Sequence, residues 1–300
     1  MSPRPLVFAL PGFAALRPAG EEIEPGALTV DRFANGEMRI RLLTDPSGRH
    51  CALVGSVAPP AGQLVTFLLA ADTLRRHRAG SVTAVLPYLA YARQDRPEAG
   101  FSLAAAWLGA ALAASGVDRV VTVDVHSDAA AELLALPVVS LSPARVVAGG
   151  LRARAADVVV VAPDAGAIAR GRRLAEALGV AAPVAWLEKR RAASGVAHGR
   201  LVGELAAHAV VVDDILDTGG TLVSCCAELQ RRGVQTIVCA VTHGLFSGRR
   251  WRALPAVGVT EVHITDTVPD VVRRSAPLPV QVHAVTSLVY GALVDAAPPG

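Results

Sequence analysis

The sequence predicts an α/β protein built from two similar units, each a mainly parallel sheet flanked by helices. Three observations carry this. Short apolar runs of strand length alternate with amphipathic stretches of helix length along most of the chain, the alternation that builds parallel sheets covered by helices. The runs are apolar on both faces, as strands buried between helix layers must be. The pattern also occurs twice, each time with a strand ending in a polar cluster: Asp124-Val125-His126 first, Asp213-Asp214 second. Sheets of this kind bind ligands beyond the carboxyl ends of their strands.

Taken in order, the strand-like runs are 6–10, 52–57, 82–86, 120–125, 158–161, 184–187, 209–212, 237–241 and 262–264. Between them, helical spacing marks 64–78, 103–114, 168–178 and 222–231. Leu136–Pro143 holds two prolines and reads as the crossover between halves. The units expected are residues 1–142 and 143–285, with 286–300 packing back on the first. Three hundred residues suffice for two such cores.

Composition narrows the function. The chain is 52% hydrophobic and 18% charged, so it is globular, and its net charge of +3 with no basic stripe argues against nucleic acid. The nineteen uncharged residues from Ala99 to Val117 are mostly Ala, Gly and Ser, which predicts a buried helix rather than a membrane span. Leu6–Leu16 outlines a signal peptide only faintly, since Pro11 interrupts it and no cleavage site follows. Cys51, Cys225, Cys226 and Cys239 lack metal spacing and read as buried apolar groups in a reducing compartment. A cytoplasmic enzyme is the expectation. One lysine, Lys189, stands against 28 arginines, so that position points to a need for a compact ammonium.

The most informative stretch is Val210–Thr221. A buried strand ends in Asp213 and Asp214, then a turn of small residues, Asp217-Thr218-Gly219-Gly220-Thr221, opens a helix near Leu222. Glycines allow close backbone approach, the helix start offers N–H groups to an anion, and the carboxylates suit sugar hydroxyls. A plain N-capped corner is the competing reading. Asp164, before Gly166, likewise suits either a hydrated cation or an N-cap. Glu188-Lys189-Arg190-Arg191 places three cations where a polyphosphate needs them, although a solvated loop has the same composition. Pro87–Arg96 packs two tyrosines, Arg93, Gln94, Asp95 and Arg96 into one loop, and guanidinium groups bind phosphate and stack on bases. His126 beside Asp124 suits a metal or its waters as well as a structural role. Phe33-Ala34-Asn35-Gly36-Glu37 is a turn signal. No P-loop, complete dinucleotide fingerprint or nucleophile elbow occurs.

In order and spacing, Phe33–Glu37, Pro87–Arg96, Asp124–His126, Pro163–Gly166, Lys189–Arg191, Asp213–Thr221 and Thr265–Pro269 resemble the ribose-phosphate pyrophosphokinase (PRPP synthetase) family, over about residues 28–290. The resemblance implies two phosphoribosyltransferase-like domains and Mg²⁺-dependent transfer of the diphosphoryl group of ATP to ribose 5-phosphate. It assigns ATP to Phe33, Asn35, Gly36, Glu37, Arg93, Gln94, Asp95 and Arg96, the hairpin residues reaching in from a neighbouring subunit. Ribose 5-phosphate falls to Asp213, Asp214, Asp217, Thr218, Gly219, Gly220 and Thr221. Mg²⁺ falls to His126 and Asp164, and the transferring group to Lys189 and Arg191. A dimer-based homo-oligomer, up to a hexamer, is implied, with the 1–142 unit on the ATP side. Departures are Asn35 where the family has Asp, a short loop after Arg96, and no glutamines after His126, which implies loss of control by phosphate and ADP. A PRPP-consuming type I phosphoribosyltransferase and a catalytically silent homologue stay open, as does a lid at 192–204.

Overall fold

The computed structural model describes residues 4–16, 20–151, 158–181, 183–192, 195–269 and 278–294, with 189–192 and 195–199 as backbone only. The chain divides into two units, Met1–Leu141 with Val285–Gly300, and Ser142–Ala284.

The first unit holds strands β1 (Leu6–Ala9), β2 (Glu24–Pro25), β3 (Leu28–Arg32), β4 (Met38–Leu42), β5 (His50–Val54), β6 (Ser81–Leu86), β7 (Arg119–Val123) and β8 (Val138–Leu141). Its helices are α1 (Gly62–Arg76), α2 (Ala104–Ala114) and α3 (Asp128–Leu133). Six strands form one sheet in the order β2-β1-β5-β6-β7-β8, all parallel, while β3 and β4 make a separate antiparallel hairpin. Leu6, Phe8, Leu53, Ala84 and Leu86 meet Phe67, Leu74, Leu108 and Leu112 of α1 and α2 in one core layer. The alternate strand residues Val7, Ala52, Val54, Val85 and Val121 face Val289 and Leu293 in the other. The prolines of 136–143 do not make that stretch a bare crossover. They bracket β8, which can be short because it is an edge strand.

The second unit holds α4 (Ala144–Leu151), β9 (Val158–Ala162), α5 (Ile168–Leu178), β10 (Ala185–Ala192), β11 (Gly195–Val202), β12 (His208–Leu216), α6 (Gly220–Arg231), β13 (Thr236–Gly244), β14 (Val259–Thr265) and β15 (Val280–His283). Helix α7 (Thr286–Val294) then returns to the first unit. The sheet order is β11-β10-β9-β12-β13-β14-β15, parallel except for β11 at the edge. Helix α6 covers one face through Leu222, Cys225, Cys226 and Leu229, and α4 and α5 cover the other through Val147, Leu151 and Leu174. Each unit is therefore a mainly parallel sheet between helix layers.

The uncharged run at 99–117 becomes α2, buried along Ala104, Ala105, Leu108, Gly109 and Leu112 with Trp107 outside. Among the described residues no helix is long and apolar enough to cross a membrane. All four cysteines are buried thiols, and burial pushes Cys51 up to about 11. The stretch at 192–204 largely forms β11, paired antiparallel to β10.

Candidate active site

In the second unit the polar residues collect at the carboxyl ends of neighbouring strands. Strand β12 runs through Asp213 and Asp214 to Leu216, beyond the end of its apolar run at Val212, paired with β13 on one side and β9 on the other. Asp214 is 6% exposed and Asp213 half-buried, and the Asp214 N–H donates to Asp213 Oδ1 at 3.0 Å. Burial, then the charge of Asp214, hold the Asp213 carboxyl well above the ordinary carboxylate range; Arg170 opposes this and Asp164 adds to it. A buried and a half-buried carboxylate side by side repel one another, which marks the strand end as a place for hydroxyl donors or cations.

The turn that follows is built by backbone. Gly219 adopts φ +85°, and a Cβ there would lie 2.6 Å from the Cα and Cβ of Trp251, so only glycine fits. The Trp251 N–H donates to the Thr218 carbonyl at 2.8 Å. Helix α6 begins at Gly220, two residues before the sequence-based start, with left-handed Gly219 as its N-cap. Thr218 is exposed, and Asp217, Gly220 and Thr221 are half-buried around the open helix start.

On the flanking strands, Asp164 follows β9 and its Oδ1 accepts from the N–H groups of Gly166 (2.9 Å) and Ala167 (3.3 Å). It is an N-cap, and it is also close enough to Asp213 to perturb it. Lys189 and Arg191 lie on β10, opposite His198 and Val196 of β11, beyond an irregularity at Leu187/Lys189. Their side chains lie outside the described residues. Thr265 ends β14, Thr267 follows it, and both are buried: Thr265 Oγ1 donates to the Thr242 carbonyl (2.7 Å), and His243 Nδ1 pairs with Thr267 Oγ1 (2.8 Å).

The first unit assembles its site by side chains. Tyr91 takes φ +69°, rare for a bulky residue, with its ring edge-on to Trp107 at 6.0 Å. Arg93, Gln94 and Arg96 are exposed and Asp95 half-buried. Ser102 Oγ donates to Gln94 Oε1 at 2.6 Å. Ser127 Oγ hydrogen-bonds Asp95 Oδ2 and also accepts the Ala130 N–H as the cap of α3. The Arg93–Arg96 loop is thereby joined to the loop that carries exposed His126. In the β3–β4 turn, Gly36 has φ +92°, the Asn35 side-chain Oδ1 accepts the Glu37 N–H at 3.1 Å, and the Arg39 guanidinium lies 5.4 Å from the centre of the half-exposed Phe33 ring. An Asp at 35 would accept that bond equally, so the hairpin geometry survives the departure from the family pattern.

Asp124, already part of the sequence cluster with His126, is 4% exposed with φ +51°, backbone strain of the kind held at functional sites. Two features were given no role from sequence. Ser127 is the tie just described. The segment Phe246–Arg252 lies against the Asp217–Thr221 turn, and its cue was a Gly-x-Phe-x-Gly-Arg-Arg-Trp run directly after a strand end.

Comparison with known proteins identifies the family. The model of the N-terminal domain of ribose phosphate pyrophosphokinase matches residues 17–116, and that of the phosphoribosyl transferase domain matches 145–270. The ribose-phosphate pyrophosphokinase of Chromobacterium violaceum is 33% identical over 274 residues, covering 89% of this chain and 83% of that one. The Thermotoga maritima protein of the same name is 34% identical over 294 residues, with coverages of 93% and 92%. The crystal structure of phosphoribosylpyrophosphate synthetase from Mycobacterium smegmatis superposes with a TM-score of 0.81 at 28% identity, covering 97% of each chain. The chain belongs to the ribose-phosphate pyrophosphokinase family and is a diphosphotransferase of that family.

Proposed function

We propose that this chain transfers the β,γ-diphosphoryl group of ATP to O1 of ribose 5-phosphate, giving AMP and PRPP, with ATP on the first unit and the sugar phosphate on the second. The observation that carries the reading is the strand end of β12, where two adjacent carboxylates, one buried and one half-buried, precede a glycine turn that opens a helix. Asp213 and Asp214 accept the ribose hydroxyls and aim O1. The N–H groups around Gly219–Thr221, with the Thr218 and Thr221 hydroxyls, hold the 5-phosphate beside Asp217. Arg93, Gln94, Asp95 and Arg96 hold the nucleotide, joined by Phe33, Asn35, Gly36 and Glu37 from a neighbouring copy in a homo-oligomer. The O1–Pβ bond forms as the bond from Pβ to the α,β-bridging oxygen breaks; the O1 proton passes to solvent and AMP leaves. Lys189 and Arg191 balance the charge that shifts during transfer, so the protein contributes position and electrostatics rather than covalent chemistry.

The reaction class implies Mg²⁺, and the donor set suits it. Asp164, Asp213 and Asp214 hold excess negative charge, and oxygen ligands are what this ion prefers. Among the described residues no three His, Cys, Asp or Glu side chains group around a metal position; Mg²⁺ in phosphoryl-transfer sites is commonly held by one or two carboxylates with phosphates and water. Asp164 in the second unit would hold it, His126 in the first unit is a separate candidate ligand, and when bound the ion would neutralise the phosphates. A cytoplasmic setting accords with this small-molecule chemistry.

The test is direct. Incubation with ATP, Mg²⁺ and ribose 5-phosphate, followed by chromatography, is expected to give AMP and PRPP in equal amounts. ADP in place of AMP would mean transfer of a single phosphoryl group; no turnover would favour a silent homologue. Lys189→Ala is expected to lower kcat about 10²–10³-fold, the scale of a lost transition-state donor. Full turnover by that variant removes the role given to Lys189.

A further inference from the structure

We infer that Arg250 is a further phosphate-binding residue, a guanidinium delivered onto the sugar-phosphate turn by the segment that follows β13. The inference rests on reading Asp217–Thr221 as the site of the 5-phosphate.

The turn needs a cation that it does not contain. Its donors are backbone N–H groups and the hydroxyls of Thr218 and Thr221, while Asp217 adds a negative charge. A helix start offers about half a positive charge, and a sugar phosphate near neutral pH carries more than one negative charge. Arg250 reaches this place: its Nη1 lies 3.4 Å, and its Cδ 3.8 Å, from the point a Gly220 Cβ would occupy, and Thr218 Oγ1 lies 3.8 Å from the same point. The guanidinium and the Thr218 hydroxyl therefore flank the first residue of α6.

The placement is anchored. Leu245 and Phe246 both donate their N–H groups to the Leu216 carbonyl at 2.9 Å, and Trp251 donates to Thr218 at 2.8 Å. Trp251 is 2% exposed, packed edge-on against Phe246 at 5.1 Å, and wedged against Gly219. Phe246 itself takes φ +49°. Arg250 thus extends from a platform locked to Leu216, Thr218 and Gly219. Its neighbour Arg252 provides a contrast, since that guanidinium lies over the Trp251 ring, 5.1 Å from its centre, and is spent on a cation–π contact. Arg250 is exposed, so its fork is available to phosphate oxygens, for which paired N–H donors are better matched than an ammonium.

The experiment is calorimetric titration of the full chain with ribose 5-phosphate, with ribose, and with ATP–Mg²⁺, for the wild type, Arg250→Ala, Arg250→Met, Arg250→Lys and Arg252→Ala. The expected result is a 10-fold to 100-fold weaker ribose 5-phosphate affinity in Arg250→Ala, roughly the value of a charged hydrogen bond. Arg250→Met, which keeps the stem, should weaken binding equally, Arg250→Lys less, and Arg252→Ala not at all, with ATP affinity unchanged throughout. Arg250→Ala and Arg250→Met within twofold of wild type, at unchanged melting temperature, overturn the inference while leaving the turn assigned. A wild type that binds ribose 5-phosphate no better than ribose overturns the turn's assignment and Arg250 with it.

Discussion

The two units present similar sheets but build their ligand loops in opposite ways. In the second unit the turn after β12 is shaped by backbone: a left-handed glycine, a tryptophan wedge and a helix start. In the first, the Arg93–Arg96 loop is held by side chains, Ser102 to Gln94 and Ser127 to Asp95. A backbone-built site tolerates no added atom. A side-chain-built site tolerates added bulk but loses its geometry when one hydroxyl is removed. The first strategy suits a small phosphate that must be enclosed by N–H groups, the second a larger nucleotide met by exposed side chains.

The comparison breaks most visibly at Gly219. Gly219→Val adds a branched Cβ at φ +85° where Trp251 already lies 2.6 Å away, and it is expected to cost about 3–5 kcal/mol. Urea denaturation should show this together with loss of ribose 5-phosphate binding. A stable Gly219→Val protein that still binds the sugar phosphate would show that the turn is not backbone-built.

Asp213→Asn should separate stability from function. Because the folded-state carboxyl is raised, the native state keeps its proton when the unfolded chain has lost it. Asp213 therefore favours folding below the ordinary value of about 4, and that contribution disappears as pH rises through the raised value. The Asn variant should be more stable than wild type at pH 7, with the gap closing as pH falls towards about 4, while its ribose 5-phosphate affinity drops. Loss of stability at pH 7 would contradict the carboxylate-pair account.

In the first unit, a double-mutant cycle of Ser127→Ala and Asp95→Ala sharpens the contrast. Loss of the α3 cap in Ser127→Ala should cost about 1 kcal/mol of stability, which Asp95→Ala does not share. In the KM for ATP, however, the second substitution should add little to the first, with coupling of about 1 kcal/mol. Fully additive KM effects would mean that the tie does not position the loop.

Glu228→Gln is the smallest effect and serves as a control away from both loops. Hydrogen bonds from Arg231, then Arg232, hold Glu228 down at about 2. Its stabilising effect is present above the ordinary carboxylate range and is lost as pH falls towards 2. The pair is partly exposed to solvent, so the variant should lose only about 0.3–1 kcal/mol at pH 7, by thermal melts, with kinetics unchanged.

What the sequence determined by itself is whatever rests on local pattern. Apolar runs such as Val158–Val161 and Ala209–Val212 could only be buried parallel strands, so the fold class was legible, and Asp213–Thr221 was legible because a glycine turn writes its backbone into residue type. What the tertiary structure decided rests on long-range contact. Val138–Leu141 became an edge strand because β7 was there to pair with it. Ser127 reached Asp95 across thirty-two positions, and Trp251 came to fill the space that Gly219 leaves empty. Residue type records what a backbone position permits; which distant side chain arrives there is settled only when the strands are stacked in order.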